Sequence, residues 1–351
     1  MKLIGNTDIQ GQINIAKKSA NEEKRSIPHM LLSGAAGCGK TSTARQLAKD
    51  TGCKFVNVAC EHIKDKSDVL PIIRQMDASG YDEYGRIAGD ISPTIVFIDE
   101  IHRLSIAGQE PLGILMEEWH ILVKFKDLTR EEKRSIHNTV DKNSDVLPFG
   151  SPQFTLVGAT TNDGQLSKPF RDRFKLRFVF TPYSFEESIE IVKVHAEKLK
   201  IKITDGGTSE IAKRGRGVPR ILVRLLERCR DMVVALGDID TITDAMAIVT
   251  FFEIRIDDTG LDAVDIRVLK ALHETGIPVG VDSLAVQLNE SPKVLTETIE
   301  PYLIQRGLIA RGPKGRVLTD MGREYLVEQG HIEQKTKVRK YIMPLTFDRG
   351  F

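Results

Sequence analysis

Short apolar runs separated by amphipathic or polar stretches alternate along the first half of the chain, to about residue 181. The segments Met30–Ser33, Lys54–Val58, Ile95–Ile98, Thr155–Ala159 and Leu176–Phe180 predict strands. Two runs, Val96-Phe97-Ile98 and Phe154-Thr155-Leu156-Val157-Gly158, are apolar without alternation, as strands covered on both faces should be. Helical text between them predicts an α/β unit, a parallel sheet wrapped by helices. Two polar stretches interrupt the pattern: Ala78–Ser92, with three glycines, and Lys124–Ser151, rich in Lys, Arg and Asp. Both predict long surface excursions.

After Pro182 the periodicity becomes helical, over Phe185–Leu199, Thr208–Arg214, Val218–Leu236 and Thr243–Phe252. A polar, Gly-containing linker at Asp257–Gly260 then opens a third unit. Its pattern predicts helices over Asp262–Glu274, Asp282–Gln287 and Pro292–Arg306, followed by a β pair around Gly312-Pro313-Lys314-Gly315. Ser291 is a natural N-cap with Pro292 at the first helical position. Three helices and a basic hairpin describe a winged helix. The expected division is a core over 1–181, a helical unit over 182–256, a winged helix over 257–327 and a basic, weakly periodic tail over 328–351.

Within the core, Gly34-Ala35-Ala36-Gly37-Cys38-Gly39-Lys40-Thr41 fits the phosphate-binding pattern G-x-x-x-x-G-K-[ST], between a strand and a helix-compatible run. The glycines let consecutive backbone N–H groups and the helix N-terminus point at polyphosphate oxygens. Lys40 is expected at the β- and γ-phosphates of ATP, and the Thr41 hydroxyl on Mg²⁺. The strand Thr94–Ile98 runs into Asp99-Glu100; Asp99 is expected near Mg²⁺ and Glu100 at the attacking water. Thr160-Thr161-Asn162 places a polar tip on the neighbouring strand. Arg171-Asp172-Arg173 reads either as a surface ion-pair cluster or as a finger for a neighbouring subunit's site. Arg220, Arg224 and Arg228 recur every four residues on a helix opened by Pro219. Arg220 is placed to touch a phosphate; Arg224 and Arg228 fit a solvated or ion-paired face. Cys38, near a helix N-terminus and Lys40, offers either a thiol of lowered pKa or a small filler side chain.

Bulk properties narrow the rest. The chain has 351 residues, enough for two or three domains, and is 41% hydrophobic and 28% charged, as soluble globular proteins are. A net charge of +1 gives no global basic field, so a nucleic-acid site must come from local clustering. The cysteines Cys38, Cys53, Cys60 and Cys229 lack metal spacing and read as reduced thiols. No signal-peptide-like or membrane-spanning run occurs, so a cytoplasmic protein is expected.

Several stretches together resemble the RuvB family of Holliday-junction branch-migration ATPases, within the AAA+ class. They are Phe97-Ile98-Asp99-Glu100-Ile101-His102-Arg103-Leu104, Phe154-Thr155-Leu156-Val157-Gly158-Ala159-Thr160-Thr161, Arg171-Asp172-Arg173-Phe174, Gly217-Val218-Pro219-Arg220-Ile221, Glu300-Pro301-Tyr302-Leu303-Ile304-Gln305 and Pro313-Lys314-Gly315-Arg316-Val317. The resemblance implies an AAA+ P-loop core, a helical lid and a C-terminal winged helix, assembled as hexameric rings around duplex DNA. It implies Gly34, Gly37, Gly39, Lys40, Thr41 and Ser42 at the phosphates, Asp99 and Glu100 as the Mg²⁺ and water acids, and Thr161 as first sensor. Arg173 would be the arginine finger acting on a neighbour, Arg220 after Pro219 the second sensor on the lid, and Ile4 and Tyr183 would lie by the adenine. In the winged helix, Lys293, Arg311, Lys314 and Arg316 would contact DNA phosphates without strong sequence preference. The family's junction-binding partner is RuvA, but Lys124–Ser151 is longer than the hairpin that docks on RuvA and is rewritten with Lys124, Lys126, Arg130, Lys133, Arg134 and Lys142, which counts against that partnership. The expected activity is an ATP-driven motor on duplex or four-way-junction DNA. The alternatives are an ATP-dependent loader and an ATP-regulated winged-helix switch, neither of which would translocate.

Overall fold

The computed structural model describes residues 3–76, 93–130, 132–133, 146–237 and 240–333. The whole Ala78–Ser92 stretch and the tail from residue 334 on lie outside them. The chain forms two compact units, one comprising the residues up to Ile254 with Asp258–Gly260, the other Arg255–Asp257 with the chain from Leu261 on.

In the first unit, β1 (Met30–Gly34), β2 (Lys54–Val58), β3 (Thr94–Ile98), β6 (Phe154–Thr160) and β7 (Leu176–Phe180) form a five-stranded sheet of order β2-β3-β6-β1-β7. All its pairings are parallel. β3 and β6 are buried along their whole length, which is why their sequences carry apolar residues at every position instead of alternating. Because β1, β6 and β3 are neighbours in register, whatever follows their carboxyl ends converges on one edge of the sheet.

The expected excursion over Lys124–Ser151 is corrected in part. Its two ends belong to a hairpin: β4 (His120–Lys124) pairs antiparallel with β5 (Val146–Gly150), His120 opposite Gly150 and Lys124 opposite Val146. Ile121, Val123, Leu147 and Phe149 bury one face of it in the same core as β3 and β6. Its partners are more than twenty residues apart, so no local turn signal announces the pairing. The tip lies outside the described residues.

His29, just before β1, ties three elements together. Its Nε2 lies 3.0 Å from the Met116 carbonyl oxygen, and the Leu156 N–H donates to its Nδ1 at 2.9 Å, which sets the neutral Nε2–H tautomer. Burial among Trp119 and Phe154 pushes its pKa down to about 4, Lys175 adding to the shift and the Met116 bond opposing it. The fold therefore prefers neutral His29, and this stability is fully present above the unfolded value near 6.5. It is lost as pH falls from there towards 4, where the unfolded chain takes up a proton the folded one refuses, amounting to about 3 kcal/mol. Thermal melts between pH 7 and 4 are expected to show that slope, and His29→Gln to flatten it.

The lid segment comprises helices Phe185–Leu199, Asp205–Arg214, Pro219–Leu236 and Asp244–Glu253. Ser184 and Glu187 form a capping box at the start of the first, and Pro219 stands at the first turn of the third. A short parallel pair, β8 (Lys202–Ile203) with β9 (Thr241–Ile242), ties the connections together and is too brief to read from sequence.

In the second unit, helices Ala263–Thr275 and Val281–Leu288 precede a helical run from Pro292 to Gln305 that includes a π-turn at Leu295–Ile299. β10 (Ile309–Gly312) and β11 (Gly315–Leu318) form the wing, closed by Pro313-Lys314, and Val279 bridges to Arg316 as a third short strand. A further helix, Asp320–Glu328, completes the unit beyond the elements expected from sequence. No helix among the described residues is long and apolar enough to cross a membrane.

Candidate nucleotide site

The loop after β1 turns on glycines in conformations that side chains rarely adopt. Gly34 has φ +136°, and a Cβ there would stand 2.3 Å from the Phe180 carbonyl oxygen. Gly39, at φ +92°, caps the helix Lys40–Thr51 and faces the Tyr183 hydroxyl. Any larger residue at either position would push the loop off its strand or off the helix start. Ala35 and Ala36 require no such freedom.

Lys40 is 7% exposed and donates from Nζ to the carbonyl oxygens of Gly34 at 2.6 Å and Ala35 at 2.9 Å. Burial lowers its pKa, with Cys38, Glu100 and Asp99 pulling it upward. An ammonium held by two neutral carbonyls has capacity left for an anion, and polyphosphate is the anion the loop is shaped to meet.

A cleft of about 490 Å³ opens in front of this loop. It is lined on the core side by Ala36, Gly37, Gly39, Lys40, Thr41, Ser42, Asp99 and Glu100, and on the lid side by His195, Pro219, Arg220, Val223, Arg224 and Glu227. A Cβ on Gly37 would lie 3.0 Å from Arg220 Cβ, so the lid helix start sits directly over the loop. Arg224, one turn after Arg220, is exposed as a solvated face requires and also lines the cleft. His195 and Glu227 face the same space without any sequence signal. Burial and Lys198 lower the His195 pKa against the pull of Glu227.

At the strand ends, Asp99 Oδ1 accepts the Glu100 backbone N–H at 3.0 Å. Glu100 takes a left-handed backbone, φ 48°, and its Oε2 accepts the Thr161 hydroxyl at 3.1 Å. His102, 3.2 Å from the same oxygen, was not singled out from sequence. Thr41 and Asp99 supply hydroxyl and carboxylate oxygens on the same cleft, a donor set suited to a hard cation such as Mg²⁺.

Other candidates lie outside the cleft lining. Tyr183 is hydrogen-bonded with the Asn6 side chain, and its hydroxyl stands 3.4 Å from the Cys38 carbonyl oxygen, behind the loop. Ile4 is half-buried and does not line the cleft. Arg173 is folded onto its own chain: Nη2 pairs with Glu117 at 3.0 Å, Nη1 donates to the Pro169 carbonyl at 2.9 Å, and Nε is buried without a partner. The reactive-thiol reading of Cys38 is corrected. Its side chain is fully buried, and that burial raises its pKa against the opposing pull of Lys40 and Arg220. The small-filler reading fits.

In the winged-helix unit, Arg311 and Lys314 are exposed, and Lys293 is exposed beside Glu297 at 3.9 Å. Arg316 is corrected as a phosphate contact. It is 5% exposed and gives both arms of its guanidinium to Glu300, at 2.6 and 3.1 Å. Its charge is spent inside the unit.

Comparison with known proteins follows the same division. The chain matches the Holliday junction DNA helicase RuvB P-loop domain over residues 1–179, the RuvB AAA lid domain over 183–257 and the RuvB C-terminal winged helix domain over 258–327. It is 36% identical to the Holliday junction branch migration complex subunit RuvB of Ehrlichia canis over 316 residues, 90% of this chain and 88% of that one. The RuvB subunit of Rickettsia africae is 33% identical over 318 residues, 90% of this chain and 85% of the relative. The solved structure of the Thermotoga maritima RuvB Holliday junction branch migration motor superposes with a TM-score of 0.74 at 31% identity, covering 92% of this chain and 95% of that one. The P-loop, the paired acids and the lid arginine thus sit in a chain that, from its first strand to its wing, belongs to the RuvB family.

Proposed function

We propose that this protein is an ATP-hydrolysing motor on duplex DNA that drives branch migration of Holliday junctions in the cytoplasm, working as a ring of six identical subunits. The observation that carries the reading is the cleft in which Lys40, Thr41, Asp99, Glu100 and Arg220 converge, in a chain whose three parts each match RuvB. Gly34, Gly37, Gly39 and Ser42 shape the loop around the phosphates, and Lys40 neutralises the β- and γ-oxygens. Glu100 orients the attacking water and takes its proton. Thr161 reads the γ-phosphate, and Arg220 closes the lid over it. Thr41 and Asp99 would hold Mg²⁺, which supplies charge neutralisation between the β- and γ-phosphates when bound. Arg173 would complete the site of the adjoining subunit. Tyr183 and Ile4 would contact the adenine, and Lys293, Arg311 and Lys314 would contact DNA phosphates.

Junction capture is assigned to a partner. The rewritten hairpin at 124–151 does not carry a RuvA identity for that partner. The test is strand exchange across a synthetic four-way junction with and without ATP. Exchange that needs ATP and stops with Lys40→Ala supports the motor. DNA-stimulated ATP turnover with a static junction would make the protein a loader or switch instead.

A further inference from the structure

The short turn Ile101–Arg103, directly after the two acids, carries a side chain that none of the roles above uses. His102 points back into the site, its side chain only 8% exposed. Its Nδ1 lies 3.2 Å from Glu100 Oε2 and 3.0 Å from Thr160 Oγ1. The carboxylate assigns the ring proton to Nδ1, because a bare nitrogen lone pair would face Glu100 with like charge. Thr160 Oγ1 also accepts the Asn162 N–H at 2.9 Å, and Thr161 Oγ1 donates to Glu100 Oε2. Oε2 is therefore bonded by Thr161 at the tip of β6, while His102 Nδ1, hydrogen-bonded with Thr160, stands beside the same oxygen at ion-pair distance.

The turn itself has a firm seat. Ile101 is fully buried, and a Cβ on Gly158 of β6 would come within 2.8 Å of its Cδ1. The Arg103 N–H closes the turn onto the Glu100 carbonyl at 2.8 Å. His102 is thus fixed relative to β6, whereas Glu100, in a left-handed conformation with a carboxylate 27% exposed, owes its position to the groups that bind it.

A threonine hydroxyl has one proton to give. When Thr161 donates to a γ-phosphate it must release Glu100, and the donor left within reach of Oε2 is His102 Nδ1, 3.2 Å away. We propose that His102 is a positioning residue for hydrolysis: its Nδ1–H, now shared with Thr160 and 3.2 Å from Oε2, takes the place of the Thr161 hydroxyl when Thr161 turns to the nucleotide and keeps Oε2 at the sheet edge, leaving Oε1 free to take the proton of the attacking water. This rests on the ATPase reading of the site.

The test is steady-state ATP turnover with DNA present, read as kcat and KM, for His102→Asn, His102→Gln and His102→Ala. An Asn amide places an N–H close to where Nδ1 lies, whereas Gln reaches towards the Nε2 position. His102→Gln and His102→Ala are expected to lower kcat roughly ten- to a hundred-fold with little change in KM, as for a misplaced catalytic group. His102→Asn is expected to recover most of the loss. Combined with Thr161→Val, the losses should be less than multiplicative, since both side chains act on one oxygen. Unchanged kcat in His102→Gln, or Asn no better than Gln, would overturn the proposal, and the Asn and Gln pair decides it even if His102→Ala does not fold. Glu100→Gln is run alongside. Failure of the wild type to turn over ATP, or normal turnover in Glu100→Gln, would instead overturn the reading on which the proposal rests.

Discussion

Arg173→Ala is expected to abolish DNA-stimulated ATP turnover, by about three to five powers of ten, while ATP binding stays close to that of the parent chain. The expectation rests on what Arg173 does not do in its own chain. It is absent from the cleft lining, and its guanidinium instead rests on Glu117 and the Pro169 carbonyl. Glu117 is 56% exposed, so this ion pair is worth little to stability and the variant should fold. The buried, unpartnered Nε marks a side chain whose hydrogen-bonding capacity is incompletely used within one subunit. Mixing gives the sharper result. Chains with Arg173→Ala keep an intact phosphate loop, and chains with Glu100→Gln keep an intact Arg173. Each is expected to be inactive alone, and a random ring of both should regain roughly a quarter of its sites, because a head-to-tail interface joins one chain's loop to the other's arginine. Absence of recovery in mixed rings would place Arg173 outside the shared site.

That such a site can be sought at all was legible in the sequence, since its parts follow strands whose apolar runs are unbroken. β3 and β6 are read at once because burial on both faces removes alternation, and the loop and acids follow from residue types the chemistry requires. What escaped depends on contacts between distant segments. β4 was hidden because His120–Lys124 follows a helix with only Trp119 between and pairs beyond a long polar insertion. Helical spacing gave Arg224 its exposed face but not the cleft that this face borders. Cys38 invited a low pKa from its neighbours in sequence, and the burial that reverses the shift is tertiary. His102 belongs to the same class: its partners Thr160 and Glu100 are brought to it by the neighbouring strands of the sheet.

Arg316 is the instructive failure, and it yields the second large expected effect. Counting cations in the wing made it a phosphate contact; its partner Glu300, sixteen residues earlier on a helix, could not be seen in the count. The pair is nearly dry, with side chains 6% and 2% exposed. The Arg316 backbone also exchanges both hydrogen bonds with Val279, at 2.8 and 2.9 Å, so the guanidinium anchors the wing where it meets the third strand. Glu300→Ala leaves that guanidinium buried without its carboxylate and is expected to cost the winged-helix unit about 3–5 kcal/mol. Melting should show that loss, with DNA binding lost and basal ATP turnover retained. Replacing both partners, Glu300→Leu with Arg316→Met, removes the uncompensated charge and is expected to restore most of the stability. The double variant then separates fold from contact. If Arg316 touches no phosphate, the rescued protein binds duplex with the wild-type dependence on salt, whereas Lys314→Ala or Arg311→Ala each reduces the slope of log K against log salt by about one. A rescued fold with a reduced slope would return Arg316 to the DNA surface.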